Sequence, residues 1–489
     1  MKNVIIVLLC ISIIYYVFIY RKPYTMENIT TYYYNKITDY GVIGDGVADN
    51  TEKFQLAVNQ LQGKTIEIPS GVYLISSGIT IPSNTTIIGA GKNNTIIKLK
   101  NNIQGDIDSM IKTLSSVSNR AENIYIKNIT FDGNRKNNIK YPIGSGTNSN
   151  PTGTGESTPL CLLNINYTDN VNIENCKITN AMNSGIWLID CTNMVVENCI
   201  FNYYRIQGVA VRVYDSPSSI DESSKNYKIL NNYIGYPDDN IIMNNDPSGG
   251  IVGIETIFGT TEGIIYGNHI TNNKHENCYP YWGWNGNYPY KYPLGNQPPN
   301  IEVPNQGDGA GVELTGVYTT IPLSLPEKYI IISNNHAVEN LVGIRAEQNS
   351  QNITISNNTV TKNKMYGIFI YSGIKIICNS NIITGNNISG ISIQNAPGQN
   401  LPSDIQLVSN RIEGLTNNTG IELRACNGCI ITNNIIQQQQ IGIGLYDSEY
   451  NFCNNVIIDS NIYNNVKEQF YADPLSSSGN FINSVNFSY

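Results

Sequence analysis

The chain has 489 residues, with 30 lysines and arginines against 38 aspartates and glutamates, and a net charge of −8. No basic tract offsets this acidic balance, so a nucleic-acid partner is not expected, because phosphate binding needs clustered Lys and Arg. The cysteines show no zinc-ligand spacing, and "CNGC" at 426–429 stands alone. An isolated C-x-x-C is a weak signal for metal or redox chemistry, so neither is predicted.

The first element is an apolar run from Val4 to Tyr20, closed by Arg21-Lys22. Roughly 20 such residues span a bilayer as a helix. No small-residue cleavage site of the A-x-A kind follows. The run therefore predicts a single-pass membrane anchor at residues 1–22, followed by a linker at 23–36. A cleaved signal peptide is the alternative. The rest of the chain would then lie outside the cell, in a lumen or on a particle surface.

The second element is an amphipathic helix. It lies within the segment "YGVIGDGVADNTEKFQLAVNQLQG", whose first residue is Tyr40. Asp49 is a candidate N-cap with Glu52 three residues later, and Gly63 ends the helix. The glycines do not predict a phosphate loop, because no Gly-Lys-Ser/Thr or G-x-G-x-x-G pattern accompanies them. One face is apolar, which is typical of a lid over the end of a solenoid; its residues are Phe54, Ala57, Val58 and Leu61.

Internal repeats dominate the chain from about Glu122 onward, as in "VNIENCKITN", "ITISNNTVTKN" and "IITNNIIQQ". Alternating apolar residues predict strands, and units this short must stack on their neighbours. A repeated polar residue at one bend predicts a ladder of side-chain amides, and the whole pattern predicts an all-β parallel β-helix. The ladder positions are Asn128, Cys176, Cys199, Asn232, Asn268, Asn335, Asn358, Asn381, Asn410, Asn434 and Asn461.

A family resemblance adds to this interpretation. The segments "ITDYGVIGDGVADNTEKFQLAVN", "IEIPSGVYLIS", "ITIPSNTTIIGAG" and "ITFDGN" resemble the N-terminal module of the pectate-lyase-like superfamily. That group includes rhamnogalacturonase-like and polygalacturonase-like enzymes and phage tailspike depolymerases. The resemblance implies a right-handed, single-stranded parallel β-helix and a polysaccharide partner. It divides the chain into a module at 37–134, β-helix repeats at 135–473, and a C-terminal tail or cap at 474–489.

A column of outward residues follows from the strand alternation in units such as "GIETIF", "GVELTG" and "GIRAEQ". Glu255 and Glu313 are expected to be neighbours about 4.8 Å apart, with Glu347 roughly 8 Å from Glu313. Paired carboxylates at such spacing suit glycoside hydrolysis. A solvated ladder of mixed charge is the alternative. The predicted column is Trp187, Ala210, Ile242, Glu255, Glu313, Arg345, Phe369, Ser392, Glu422 and Gly444, with Arg212, Asn244, Glu347 and Tyr371 two residues further along.

Between the two glutamates the chain inserts an aromatic loop at 274–308 that contains "CYPYWGWNGNYPYKYP". Exposed aromatic rings can stack on the apolar faces of sugars, and long ordered loops are usually functional. A self-packed loop is the alternative. The candidate substrate-binding residues are Tyr281, Trp282, Trp284 and Tyr288.

Two further possibilities concern the chemistry. Asp239, in "GYPDDNI", is similar to the paired Asp motif of polygalacturonase-like enzymes, which makes it a candidate acid. The other elements of that motif are missing. A lyase would need Ca²⁺ and a base, for which Arg212 or Arg345 are candidates. Otherwise no cofactor and no metal site is predicted, since the three histidines show no ligand spacing.

These observations favour a membrane-anchored β-helix enzyme that cleaves a polysaccharide, by hydrolysis rather than elimination. A non-enzymatic carbohydrate-binding or surface-fibre protein is the alternative, because it would keep the solenoid and the aromatic loop without a working acid/base pair. The oligomeric state is left open.

Overall fold

The structure is a computed structural model. It describes residues 35–483 with internal gaps, and these gaps are 104–107, 139–160, 182–183, 205–206, 214–223, 236–251, 258, 274–308, 316–325, 348–349, 396–399, 416, 448–452 and 475–479.

The described residues form a right-handed parallel β-helix, which confirms the predicted fold class apart from its transmembrane helix. Each coil contributes one strand to each of three parallel sheets, which we call sheets A, B and C in the order that the chain visits them. The strands are short and rich in Ile, and alternate residues point into one continuous core. Strands of one sheet therefore come from successive coils, which lets distant residues become neighbours.

The strand bounds follow by sheet. Sheet A contains Asn35–Lys36, Thr65–Ile68, Thr85–Gly89, Ala121–Lys127, Thr168–Glu174, Thr192–Glu197, Lys225–Leu230, Thr261–Tyr266, Ile331–Ser333, Gln351–Ser356, Ile374–Asn379, Gln406–Val408, Ile430–Thr432, Ile457–Asp459 and Phe481–Asn483. Sheet B contains Asp45–Asp49, Gly71–Ile75, Thr95–Leu99, Thr130–Asp132, Lys177–Thr179, Ile200–Asn202, Tyr233–Gly235, His269–Thr271, His336–Val338, Thr359–Thr361, Ile382–Thr384, Arg411–Glu413, Ile435–Gln437 and Ile462–Asn464. Sheet C contains Ile79–Ile81, Ser109–Thr113, Cys161–Asn166, Ser184–Ile189, Gln207–Arg212, Val252–Ile257, Ala310–Thr315, Val342–Glu347, Tyr366–Tyr371, Ser389–Gln394, Thr419–Arg424, Ile441–Tyr446 and Glu468–Ala472. Short 3₁₀ helices span Ile37–Tyr40 and Arg135–Asn137.

The capping helix α1 spans Thr51–Gln60, and its predicted apolar face is buried in the core. The predicted N-cap is off by one residue, because Asn50 takes the cap position while the Asp49 carboxylate accepts a hydrogen bond from Thr51 N at 3.1 Å. Asn50 instead fixes the glycine-rich segment, since its Oδ1 accepts from Ile43 N at 2.7 Å and its Nδ2 donates to Ile43 O at 2.9 Å. The glycine-rich segment before helix α1 is therefore held in place by the Asn50 side chain.

The predicted asparagine ladder is confirmed at the bend between sheets A and B. Asn335 N and Nδ2 both donate to Asn358 Oδ1, at 2.9 and 3.1 Å, and Asn335 Nδ2 also donates to Ile265 O at 2.9 Å. The Asn335 side chain also accepts from Asn268 N at 3.0 Å, so each asparagine satisfies a buried N–H and a buried carbonyl of the preceding coil. The same arrangement runs through Asn232, Asn268, Asn335, Asn358, Asn381, Asn410, Asn434 and Asn461.

One ladder position was predicted wrongly. Asn128 has φ of 61° and corresponds to Asn175, which precedes the ladder residue Cys176. The ladder position in that coil is therefore Ile129, which is buried. An asparagine tolerates the left-handed conformation of the bend, so the residue type alone did not distinguish the two positions.

The transmembrane part of the fold prediction is wrong. Among the described residues, no helix is both long enough and apolar enough to cross a bilayer. Helix α1 has 10 residues and is therefore about 15 Å long, half the roughly 30 Å of a hydrocarbon core. The run that suggested an anchor, residues 4–20, lies outside the described residues. The single-pass membrane location is corrected on this finding.

Candidate active site on sheet C

The outward column of sheet C has the predicted register. Glu255 pairs with Glu313, and Glu313 pairs with Arg345. Ile242 lies outside the described residues, and the strand of Ala210 pairs directly with the strand of Glu255, so the two are adjacent in the column instead of being separated by one position as predicted. The confirmed column is Trp187, Ala210, Glu255, Glu313, Arg345, Phe369, Ser392, Glu422 and Gly444.

The two central carboxylates share a hydroxyl partner. Thr315 Oγ1 lies 3.3 Å from Glu255 Oε1 and 3.3 Å from Glu313 Oε1. Those two oxygens are therefore separated by at most twice that distance. Both glutamates are only 6% exposed although they lie on the outward face. Charges in such a poorly hydrated position interact more strongly than they would in water.

Arg345 joins two of the three predicted glutamates. Its Nη1 lies 3.6 Å from Glu313 Oε1, and its Nε donates to Glu347 Oε1. Glu347 lies two residues further along the strand of Arg345, as the alternation predicted. The ion pairs stabilise both carboxylates in their charged form and the guanidinium as a cation. Arg345 is thus poorly suited to act as a catalytic base.

Gln207 is a contact that the sequence analysis missed. Its Nε2 donates to Glu255 Oε2 at 2.6 Å, and its Oε1 accepts from Trp187 Nε1 at 3.3 Å and from Ser184 Oγ. Arg212, another predicted member, lies over the Trp187 ring with 5.2 Å between its Cζ and the ring centroid.

The alternation pattern failed at Gln207 for a local reason. A Cβ on Gly208 would lie 2.7 Å from Ile234 Cγ2 and 2.8 Å from Gly253 O, so Gly208 faces the interior. Val209 is also buried in the core. Because two consecutive residues face inward, the residue before the glycine faces outward, which strict period-two alternation does not predict.

An apolar and aromatic cluster lies on the outward face of sheet C, next to the charged residues. The rings of Tyr366 and Phe369 stack with centroids 4.9 Å apart, and Phe369 and Tyr371 follow at 5.5 Å. Phe369 is the register partner of Arg345, so the stack begins one coil from the ion pairs. The buried members of this cluster, which is separate from the main core, are Val252, Ala310, Val342, Tyr366 and Phe369.

A buried carboxyl group lies on the inner side of the same strands. Glu327 is fully buried, with Oε1 accepting from Gly259 N at 3.1 Å and Oε2 accepting from Thr256 Oγ1 at 3.0 Å and from Thr260 Oγ1. Burial away from water raises the pKa of Glu327 to about 8, although the three hydrogen bonds oppose that shift. Glu327 is therefore a titratable group in the neutral range, and the sequence analysis did not identify it.

The remaining predicted site residues cannot be compared with geometry. Asp239, Tyr281, Trp282, Trp284 and Tyr288 lie outside the described residues, and their roles stay predictions. Within the described part of the chain, no group of three or more His, Cys, Asp or Glu side chains is arranged to hold a metal ion. Glu313 and Glu347 in particular are paired with a guanidinium, which does not fit a Ca²⁺ donor set.

Comparison with protein-family models shows to which family this chain belongs. Residues 34–279, half of the chain, match the model described as rhamnogalacturonase A/epimerase, pectate lyase-like. The chain belongs to this family. The match confirms the resemblance seen in residues 37–134 and extends it past the strand of Glu255. A second model, described as periplasmic copper-binding protein (NosD), matches residues 310–416 of this pectate-lyase-like chain.

Two curated relatives illustrate the family. The pre-neck appendage protein of Bacillus phage phi29 is 26% identical over 438 residues, which cover 76% of this chain and 48% of that protein. Mannuronan C5-epimerase AlgE5 of Azotobacter vinelandii is 35% identical over 111 residues, or 21% of this chain and 11% of that enzyme. The chain thus spans about half the length of the phage relative. The family assignment confirms the predicted relationship to pectate-lyase-like β-helix proteins.

Two solved structures show the same fold. The A-module of mannuronan C-5 epimerase AlgE6 from Azotobacter vinelandii has a TM-score of 0.55 at 14% identity, covering 93% of this chain and 99% of that one. Tailspike protein 3 of bacteriophage CBA120 has a TM-score of 0.57 at 13% identity, covering 92% and 61%. At these identities the likeness concerns the fold alone.

Proposed function

We propose that this chain cleaves a polysaccharide bound along the outward face of sheet C, with Glu255 and Glu313 as the reacting carboxyl pair. The supporting observation is the shared contact of Thr315 Oγ1, 3.3 Å from one oxygen of each. This limit on the distance between two of their oxygens is compatible with the separation of about 5–5.5 Å between the carboxyl groups of retaining glycosidases. A retaining hydrolysis is therefore the proposed reaction.

The surroundings suggest different roles for the two carboxyl groups. Arg345 stabilises the charge of Glu313, which suits a nucleophile. The negative charge of Glu313 favours a proton on the adjacent Glu255, which suits a general acid, and Gln207 holds that carboxyl group in place.

The proposed reaction has two steps. Glu255 donates its proton to the glycosidic oxygen as the bond to the anomeric carbon breaks, and Glu313 forms an ester bond with that carbon. Glu255 then takes a proton from water, the resulting hydroxide attacks the anomeric carbon, and the ester bond to Glu313 breaks. Water is consumed, and both carboxyl groups return to their starting state.

The names of the relatives support a substrate class. A mannuronan epimerase and a rhamnogalacturonase-type model both point to chains that contain uronic acid. The test is to incubate the full chain with polymannuronate, polygalacturonate and a neutral glucan and to identify the products by mass spectrometry. Shorter saturated oligosaccharides, with retained configuration at the new reducing end by proton NMR, are expected. Products that absorb in the ultraviolet would instead indicate elimination and contradict the hydrolytic proposal.

A second candidate is a carbohydrate-binding appendage without catalysis. The phage appendage relative aligns with most of the chain, and Glu313 and Glu347 are both held in ion pairs, as a purely structural cluster would be. Binding to one of the same polysaccharides without any product would favour this candidate. Elimination with an arginine base receives less support, because Arg345 is held in ion pairs with Glu313 and Glu347, and Arg212 stacks over the Trp187 ring.

A further inference from the structure

Two histidines meet on the outward face of sheet B, away from the carboxylates of sheet C. His269 and His336 are register partners in adjacent coils, and their Nδ1 atoms are 3.1 Å apart. Their rings are nearly perpendicular, with 73° between the planes and centroids 4.8 Å apart. The Nδ1 atoms of the two rings therefore face each other at one place on this surface. Both side chains are half-buried, so solvent reaches this point.

We propose that His269 and His336 form a two-histidine binding site for a divalent transition-metal ion. Zinc binds imidazole nitrogen at about 2.0–2.1 Å, so two nitrogens on one tetrahedral or square centre lie about 2.9–3.4 Å apart. The observed 3.1 Å falls within that range. The ion would sit between the rings, and water would fill its remaining positions.

The protonation state of the two imidazole rings suits metal binding. Burial lowers the pKa of both imidazoles, and the neighbouring His336 lowers the pKa of His269 further, so both are neutral near pH 7. Neutral imidazole is the form that binds metal. Without an ion, one Nδ1–H donates to the other Nδ1. When an ion binds, that proton moves to Nε2 of the same ring, so both Nδ1 atoms become ligands without net proton release.

The neighbours of the pair support a fixed geometry. Tyr233, one coil before, stacks on His269 with centroids 5.0 Å apart and 15° between the rings. Thr359 follows His336 in the next coil. The stack with Tyr233 therefore supports the His269 ring from one side. The NosD-type segment at 310–416 includes His336 but not His269, so the pair is formed across its boundary.

A metal ion bound at this site would cross-link two adjacent coils. The histidines are 67 residues apart in sequence, and the long insertion at 274–308 lies between them. Holding the ends of a long loop together offsets part of its closure entropy, and an ion that binds only the folded state stabilises that state by mass action.

Zinc titration of the full chain tests the proposal. The protein is produced without a polyhistidine tag, stripped of metal with a chelator, and titrated with ZnCl₂ by calorimetry. One zinc per chain and a Tm that rises with zinc are expected. His269→Gln and His336→Gln should each weaken zinc binding by at least about tenfold and remove the Tm response, because one histidine alone is a poor site. CaCl₂ should have no effect, since Ca²⁺ prefers oxygen ligands.

Two controls match these variants. Thr359→Ala changes the next residue of the column, and His275→Gln removes the third histidine of the chain; both should bind zinc like the parent. Circular dichroism checks that all variants are folded. In the unaltered protein, Co²⁺ should give a visible absorption spectrum that zinc abolishes, which tests the site without any substitution. Zinc binding that is absent from the parent, or equal in the parent and both glutamine variants, overturns the proposal.

Discussion

Arg345 and Glu313 face each other across adjacent strands of sheet C, with 3.6 Å between Nη1 and Oε1. Glu255, one coil before Glu313, contacts the side chains of Gln207 and Thr315. The ion pair with Arg345 places Glu313 at the centre of the charged cluster, and this position leads to the first prediction.

Replacing Glu313 with Gln should reduce polysaccharide cleavage by about 10²–10⁴-fold while binding remains, because the amide keeps the shape but cannot act as nucleophile or base. Glu422→Gln is the matched control, since Glu422 lies in the same column, is 5% exposed and pairs with Arg424. The measurement is kcat and KM for each variant. Equal loss in both variants would indicate a general effect of charge removal.

Replacing Tyr371 with Ala should weaken polysaccharide binding and leave kcat nearly unchanged. Tyr371 ends the aromatic stack and is half-buried, so its ring can contact a sugar in the neighbouring coils. The expected increase in KM is about 3–10-fold, in line with about 0.5–1.5 kcal/mol for an aromatic contact. Tyr266→Ala, on sheet A and 43% exposed, is the control and should behave like the parent.

Replacing Asn358 with Ala should destabilise the fold by about 2–4 kcal/mol. The substitution removes the acceptor for Asn335 N and Nδ2 and leaves Ile332 O without the hydrogen bond from Asn358 Nδ2. Asn357→Gly is the control, because Asn357 is exposed with φ of 55° and glycine adopts that conformation readily. Urea unfolding followed by circular dichroism compares the two. Similar midpoints would show that the ladder contributes little.

Stability should fall with rising pH through the titration of Glu327. Its folded pKa of about 8 lies above the ordinary 4.5. The folded state therefore holds a proton that the unfolded state loses, and this contribution is present below pH 4.5 and is lost as the pH rises through 8. The full effect is at most about 5 kcal/mol. Tyr227, near Thr260, has its pKa raised well above 10 and does not titrate in this window.

Glu327→Gln should remove this dependence. The difference in unfolding free energy between parent and variant, measured in urea at pH 5.5 and pH 9, isolates Glu327 from the other groups that titrate, because those groups are common to both proteins. The variant is expected to gain stability relative to the parent at pH 9. A constant difference at the two pH values would contradict the raised pKa.

Much of the fold could be predicted from the sequence because the repeat is local. Alternating apolar residues define a strand, and an asparagine such as Asn358 occupies the same bend in each coil from Asn232 to Asn461. The register that pairs Glu255 with Glu313 followed from aligning equivalent glycines. The apolar face of α1 was equally clear, since helical periodicity needs no distant partner.

What the sequence could not determine depends on which coils become neighbours and on where alternation fails. Gln207 faces outward because the interior leaves room only for a glycine beside it. Glu327 is buried at a turn that follows a segment of irregular length, so no period locates it. His269 and His336 meet although 67 residues separate them. Periodicity predicts which face of a strand a residue lies on. Contacts between coils form only when the coils stack, and these contacts determine which charged side chains and which candidate metal ligands lie together.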